Sequence, residues 1–378
     1  MREIILRTAS VLLAALLSLT FYGALRSTAT VQRGYPGTGM EQTYKHHELE
    51  AKSALNVLPA PFPAAAKDGQ LAVDAYKNVQ VLGHLRAGEM TRLMTAITTW
   101  VAPEQGCVYC HAPAKDAQGK IVTDEEGRPL ADENNLHSDE VYAKRVARRM
   151  LQMTMHINSD WQQHVVKTGV TCYTCHRGNP VPVNIWYDEA EPHAESTLVG
   201  GRGGQNAPAF QAGLTSLPTG FFRPYLSQDE GIRVISTEPL PLDNRLSIKQ
   251  TEYTYGLMMH MSTSLGVNCT YCHNTRSMAE WSLSPVARTT AWHGIRMVRD
   301  LNNNFLEPLL KEYPPQRLGP TGDAPKLNCA TCHQGAFKPF LGASPLAGYE
   351  VLAKAEPQPA KTPPPPPPDP AAAPPAQP

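Results

Sequence analysis

Four stretches of the chain repeat apolar residues at helical spacing. Residues 87–100 put Leu93, Met94, Ile97 and Trp100 on one face. Residues 138–166 open on Ser138, Asp139 and Glu140, an N-terminal helix signal, and carry Val141, Tyr142, Val146 and Met150. Residues 251–265 align Tyr255, Leu257, Met258 and Met261. Residues 285–304 begin with Pro285, suited to a first helical turn, and carry Ile295, Val298 and Leu301. Each stretch predicts a helix. A different pattern opens the chain. Residues 4–25 are apolar apart from Arg7 and a few small polar residues, with Arg2 and Arg7 at the leading end. A run of about 20 such residues can cross a bilayer, and the early positive charges keep its start cytoplasmic. The competing reading is a cleaved secretory signal ending at the small residues Ser27 and Ala29. Both readings export the remainder, and the expectation is an uncleaved anchor.

Composition changes this picture in two ways. The 34 basic and 34 acidic residues cancel, so nothing marks a nucleic-acid binder, and any docking must use local patches. The 35 prolines argue for short helices joined by long irregular segments. Many lie between Pro180 and Pro241, around the run Gly200–Gly204, and in the tail that follows Glu356. That tail cannot bury a core and reads as extended polyproline.

The eight cysteines carry the chemistry. They fall as Cys107/Cys110, Cys172/Cys175, Cys269/Cys272 and Cys329/Cys332, each pair followed at once by a histidine: CVYCH, CYTCH, CTYCH, CATCH. A disulfide framework or a four-thiolate zinc site leaves the fifth residue without a role. With 13 histidines in the chain, four of four by chance is roughly one in a million. A single redox dithiol would need one such motif in a βαβ setting. Covalent haem c uses every residue: two thiols add to the porphyrin vinyl groups and the histidine binds iron from below. The sequence thus predicts four haems on His111, His176, His273 and His333.

These histidines stand about 65, 97 and 60 residues apart, two similar pairs around a longer middle. The expected fold is mainly α with much irregular structure, built from two pseudo-symmetric two-haem units plus the N-terminal transmembrane helix. The expected divisions are an anchor or signal at 1–29 and an extended segment at 30–75. A first unit follows at 76–180, an irregular linker at 181–250, a second unit at 251–347 and a proline-rich tail at 348–378.

Each iron needs a sixth ligand or an open site, and methionine gives a higher potential than a second histidine. The helices offer Met90 and Met94, then Met150, Met153 and Met155 with His156 and His164, then Met258, Met259, His260 and Met261. Spacing alone does not choose among them, and core packing is the ordinary role of a helix methionine.

The stretches TRLMTAITTWVAPEQGCVYCH, RRMLQMTMHINSDWQQHVVKTGVTCYTCH, YGLMMHMSTSLGVNCTYCH and APKLNCATCHQG resemble the tetrahaem cytochrome subunit of purple-bacterial photosynthetic reaction centres. The likeness spans about residues 76–347. It implies methionine as sixth ligand for haems one to three, and a histidine before the second motif for haem four. Carried onto this chain these are Met94, Met150, Met258 and His164, which leaves Met297 as a packing residue. The resemblance also implies a row of haems in the order three, four, two, one, with alternating potentials. A soluble cytochrome c or a high-potential iron–sulfur protein would be the donor. The bacteriochlorophyll special pair of the membrane subunits would be the acceptor, at the periplasmic face of the inner membrane. The start carries no cysteine of the kind that is lipidated in some members, which points to a peptide anchor. With every iron doubly ligated, electron transfer is expected rather than catalysis. The alternatives are a periplasmic respiratory carrier and a multihaem oxidoreductase with one open iron.

Further expectations concern single residues. The acidic group Asp124, Glu125, Glu126, Asp132 and Glu133 is either a docking patch or a solvated loop. Arg145, Arg148 and Arg149 are candidates to pair haem propionates. Trp100, Trp161, Trp281 and Trp292 read as packing residues, and His46, His47, His84, His137, His193 and His293 as surface or hydrogen-bonding histidines.

Overall fold

All four expected helices form. In the computed structural model they are α1 (Ala87–Val101), α2 (Tyr142–Asp160), α3 (Ile248–Leu265) and α4 (Ala287–Leu301). The structure describes residues 10–20, 23, 27–32, 41–66, 68–189, 210–218, 220–234 and 248–353. The Gly200–Gly204 run, His193 and the tail beyond residue 353 lie outside these. Residues 10–20 are helical, with Val11, Leu12, Leu13, Leu16, Leu17 and Leu19 exposed. Among the described residues no helix is long and apolar enough to cross a membrane. Most of the rest of the expected span lies outside them.

Helix α1 buries Leu93, Ala96 and Trp100, one stripe at i, i+3 and i+7. On its other face Thr91, Thr95 and Thr99 return their hydroxyls to the carbonyls four residues back. Helix α2 is central because it is apolar on two faces. Leu151 and Met155 join α1 and the C-terminal Tyr349 and Leu352 in one core. Met153 and Ile157 join Leu257 of α3 and Ile295, Met297, Val298 and Leu301 of α4 in a second. The expected 138–166 helix is broken at Trp161, and a short turn Gln162–Val165 follows. The indole Nε1 of Trp161 donates to Asp300 Oδ2 on α4 at 2.9 Å. That bond ties the break to the neighbouring helix.

The expected irregular linker contributes more than connection. Residues Phe222–Leu226 form a short helix, and Phe221, Phe222, Tyr225 and Leu226 belong to the second core. Phe221 is 0% exposed and packs on Gly256 of α3, where a Cβ would stand 2.7 Å from its ring. Prolines and glycines around a short aromatic run hid this element from a periodicity reading. Strand pairing is slight. Strands β1 (Thr28–Gln32) and β2 (Glu41–Lys45) form an antiparallel hairpin, with Thr28 opposite Lys45. Strands β3 (Ile185–Trp186) and β4 (Lys326–Leu327) tie the linker to the segment just before the fourth motif. Lys326, buried there, is paired with Asp188 and Asp323.

Candidate haem centres

A cysteine pair spaced by two residues and a following histidine share one side of a helical turn, at positions i, i+3 and i+4. All four motifs adopt such a turn. The second and fourth are α-helical, Cys172–His176 and Cys329–His333. The first and third are 3-10 turns, Gly106–Tyr109 and Cys269–Tyr271. In both of these the histidine N–H donates to the first cysteine's carbonyl, at 3.0 Å for His111 and 2.9 Å for His273. All eight cysteines are free. Burial pushes the Cys110 and Cys272 thiols up to about 11 and those of Cys172 and Cys329 to about 12.

The histidines are oriented for metal binding. Nδ1 of His176, His273 and His333 lies 2.8–2.9 Å from the carbonyls of Asn179, Met278 and Ala336. A carbonyl only accepts, so Nδ1 carries the proton and Nε2 presents its lone pair to a metal. His164 is set in the same way, by the Thr290 carbonyl at 2.9 Å. In the first motif, His111 has a buried Nδ1 with no close hydrogen-bond partner. Burial lowers the pKa of every one of these rings, that of His333 to about 4 with help from His164, and so keeps them neutral.

Three juxtapositions connect residues far apart in sequence. A cavity of about 1200 Å³ is lined by Met94, Cys107, Cys110 and His111 together with Met150, Cys172, Cys175 and His176. It exceeds an ordinary small-molecule pocket of about 300–1,000 Å³, and both methionines line it together with motifs one and two. Next, the imidazoles of His164 and His333 lie 6.0 Å apart, centroid to centroid. Two metal–imidazole bonds of about 2 Å each, with the half-widths of two rings, come to about the same span. Finally, Cys175 Sγ lies 2.9 Å from Cys332 Sγ, and Arg177 Nη2 donates to the Cys332 carbonyl. Met258 is half-buried against the second core, and His273 is half-buried at the turn that follows α3. Met297 is buried in the second core.

Several site features escaped the sequence reading. Motifs two and four read CxTCH and motifs one and three CxYCH. Thr174 and Thr331, both fully buried, accept from the backbone N–H of Thr171 and Asn328 at 3.0 Å. After each of these two motifs Arg177 and Gln334 turn left-handed, and the following glycine donates back to a long helix. Gly178 N reaches Trp100 O and Gly335 N reaches Ser264 O, both at 2.8 Å. The edge of the large cavity carries Tyr109, Tyr142, Tyr187, Tyr313 and Arg317. Arg317 Nε donates to the Tyr142 hydroxyl at 3.2 Å, and burial pushes the Tyr109 phenol up to about 12.

The arginines expected at propionates are otherwise engaged. Arg148 forks onto Asp139, Arg145 bonds Glu312, and Arg149 reaches the Asn304 carbonyl. The acidic group lies on an exposed hairpin-like loop, where Asp124 and Glu126 pair with Arg128. Trp281 and Trp292 are exposed, each under a guanidinium, Arg288 and Arg296.

Four CxxCH turns, three of whose histidines commit Nδ1 to a carbonyl, with two of the motifs lining a cavity larger than an ordinary small-molecule pocket, define a c-type cytochrome with covalently bound haem. Residues 25–353 match the family model described as photosynthetic reaction centre cytochrome C subunit. Three proteins named photosynthetic reaction center cytochrome c subunit are similar. The Rubrivivax gelatinosus protein is 48% identical over 84% of this chain and 82% of its own. The Thermochromatium tepidum protein is 43% identical over 86% and 75%, and the Roseobacter denitrificans protein 39% over 91% and 90%. The chain belongs to the reaction-centre cytochrome c subunit family, and its work is electron transfer in photosynthesis.

Proposed function

We propose that the chain attaches four haems and relays electrons from a soluble periplasmic donor to the photo-oxidised special pair of the membrane subunits. Cys107/Cys110, Cys172/Cys175, Cys269/Cys272 and Cys329/Cys332 bind the porphyrins. His111 with Met94, His176 with Met150, His273 with Met258, and His333 with His164 ligate iron. Each bound haem supplies a one-electron Fe(III)/Fe(II) couple. The protein's part is to hold the ligands neutral and oriented, to exclude water, and to set the potentials. Three thioether sites and one bis-imidazole site make motif four a low-potential site on ligation alone. Arg317 bonds the Tyr142 hydroxyl, and with the tyrosines around it is suited to haem carboxylates.

The observation that carries this reading is the serial adjacency of the attachment sites. Motifs one and two line one cavity, motifs two and four bring their cysteines together, and α3 with Met258 packs along the fourth motif's helix. That order, one–two–four–three, suits a wire with two ends rather than a cluster around a substrate. The alternation of motif types, and the matched glycine bonds to α1 and α3, support an internal duplication of a two-haem unit. The donor class, a small c-type cytochrome or a high-potential iron–sulfur protein, and a single-pass anchor at the periplasmic face complete the proposal.

The test is flash excitation of native membranes. Oxidation of c-type haem within the flash, and its re-reduction by added soluble donor, is the expected result. A flash that oxidises no c-type haem excludes the relay. A spectral shift of one haem on adding carbon monoxide to the reduced protein points instead to an open iron and an enzyme.

A further inference from the structure

Helix α4 supplies no ligand in the assignment above. Its Met297 is buried in the second core, and its His293 stacks edge-on to Trp292 at 4.8 Å. Yet α4 carries a glycine in mid-helix, Gly294, with buried neighbours Ile295, Met297 and Val298. A glycine there costs about 1 kcal/mol relative to alanine. Its backbone is ordinary helix, so no positive φ requires it. The reason lies outside the helix. A Cβ at Gly294 would stand 2.5 Å from His164 Cε1, 2.8 Å from Nδ1 and 3.2 Å from Nε2. Any side chain at this position therefore displaces the imidazole.

The same turn supplies the hydrogen bond. His164 Nδ1–H donates to the Thr290 carbonyl at 2.9 Å. Thr290 is four residues before Gly294, so its carbonyl already takes the helical bond from the Gly294 N–H. It has a second lone pair, and the missing side chain leaves that lone pair open to a ring approaching from the side. The chain delivers His164 through the break at Trp161, which is itself pinned to α4 by Asp300. His164 is thereby held to α4 by a surface contact, a hydrogen bond and the Trp161 tether three residues before it. On its other side stands His333, at 6.0 Å.

We propose that Gly294 and the Thr290 carbonyl form a socket on α4 that fixes the position and tautomer of the His164 ring, so that Nε2 faces the iron site of motif four. Gly294 is a positioning residue. The inference rests on the reading of His164 as the axial ligand there, and the two are separable by experiment.

The experiment uses the full chain with its haems, followed by electron paramagnetic resonance, optical spectra and redox titration. His164→Gly should abolish the bis-imidazole signature of one haem. If that signature persists, His164 is not the ligand and the underlying reading fails, whatever Gly294 does. In the His164→Gly protein, added imidazole should refill the socket and restore the signature. Added 1-methylimidazole lacks the N–H for Thr290 and should need about tenfold more ligand, the effect of one lost hydrogen bond. Gly294→Ala in the same background should weaken both ligands. Equal binding of the two imidazoles, unchanged by Gly294→Ala, overturns the socket. In the protein with native His164, Gly294→Ala alone should shift the midpoint and g-values of that haem and leave the other three as they were. Should Gly294→Ala fail to fold, the ratio of imidazole to 1-methylimidazole affinity in His164→Gly still decides.

Discussion

At the scale of single residues, ligand identity and nearby charge give the sharpest expectations. Met94 and Met150 line the same cavity as the motif histidines expected opposite them. Thioether sulfur favours the reduced iron more than imidazole does. Met150→His should therefore lower one midpoint by roughly 0.1 V, well inside the 0.8 V range that axial ligands span. Redox titration checks this, and an unchanged set of midpoints would remove Met150 from the ligand list. Arg317 acts through charge instead. Its guanidinium sits at the cavity edge against the Tyr142 hydroxyl. A positive charge there disfavours the oxidised iron, so Arg317→Gln should lower the midpoint of a haem in the first unit. About 40 mV is expected, the one-electron equivalent of roughly 1 kcal/mol. The same titration reads it, and a rise would reverse the assigned role.

At the scale of elements, α2 and α4 are joined by a polar contact as well as by their core. His156 of α2 bonds Asp300 Oδ2 at 2.6 Å and Asp160 at 2.7 Å, with Phe305 5.0 Å from its ring and Arg149 over Phe305. The hydrogen bond to Asp300 raises the His156 pKa against the opposing effect of burial, and Asp160 adds to the rise. For Asp300 burial pushes upward, but the bonds from His156, Asn304 and Trp161 outweigh it and hold the carboxyl low. A raised histidine pKa contributes stability that is complete below its unfolded value of about 6.5 and is lost as pH rises through the folded value. A lowered aspartate contributes above about 3.9 and loses its share as pH falls through its folded value. The pair should thus be worth on the order of 1 kcal/mol between about pH 4 and 6.5, fading toward alkaline pH. Thermal melts taken from about pH 6.5 upward should lose part of their decline in His156→Asn; an identical slope in the variant would discard the contact. The helices themselves were legible from periodicity because each buries at least one apolar stripe, and α2 buries two. Their junctions were not. Trp161 ends α2 because its indole finds Asp300, and Phe221 enters the second core because Gly256 leaves room for its ring. Both depend on residues more than 30 positions away. Similarly the CxxCH spacing marked each cysteine pair and its histidine, and each falls on a helical turn. The Thr290 carbonyl and Gly294 carry no local pattern pointing to His164.

At the scale of the whole molecule, the spatial order of the sites differs from their order in the chain. Motif two stands between motif one, with which it shares a cavity, and motif four, whose cysteine it meets. The segment that makes this possible is α2 with its broken end. Met150 lines the cavity that motifs one and two share, and His164, beyond the Trp161 break, lies 6.0 Å from His333. A chain folded strictly motif by motif would instead place motif two beside motif three. The two arrangements differ in what is lost when one station is removed. Replacing Cys329 and Cys332 by serine removes the fourth attachment and leaves the other motifs intact. In the order one–two–four–three, with the photo-oxidised pair beyond motif three, only the haem of motif three should still oxidise after a flash. Re-reduction by a donor that enters at motif one should slow by orders of magnitude, because the gap now spans a whole station. In an order that followed the sequence, motif four would stand at one end of the row, and its removal would leave either none or all three of the remaining haems connected to the pair. Counting the haems oxidised by a train of flashes, with donor absent, separates the two: one for the folded order, none or three for a chain-ordered row. The count tests the placing of motif four between motifs two and three, since only a station inside the row divides the remaining haems when it is removed.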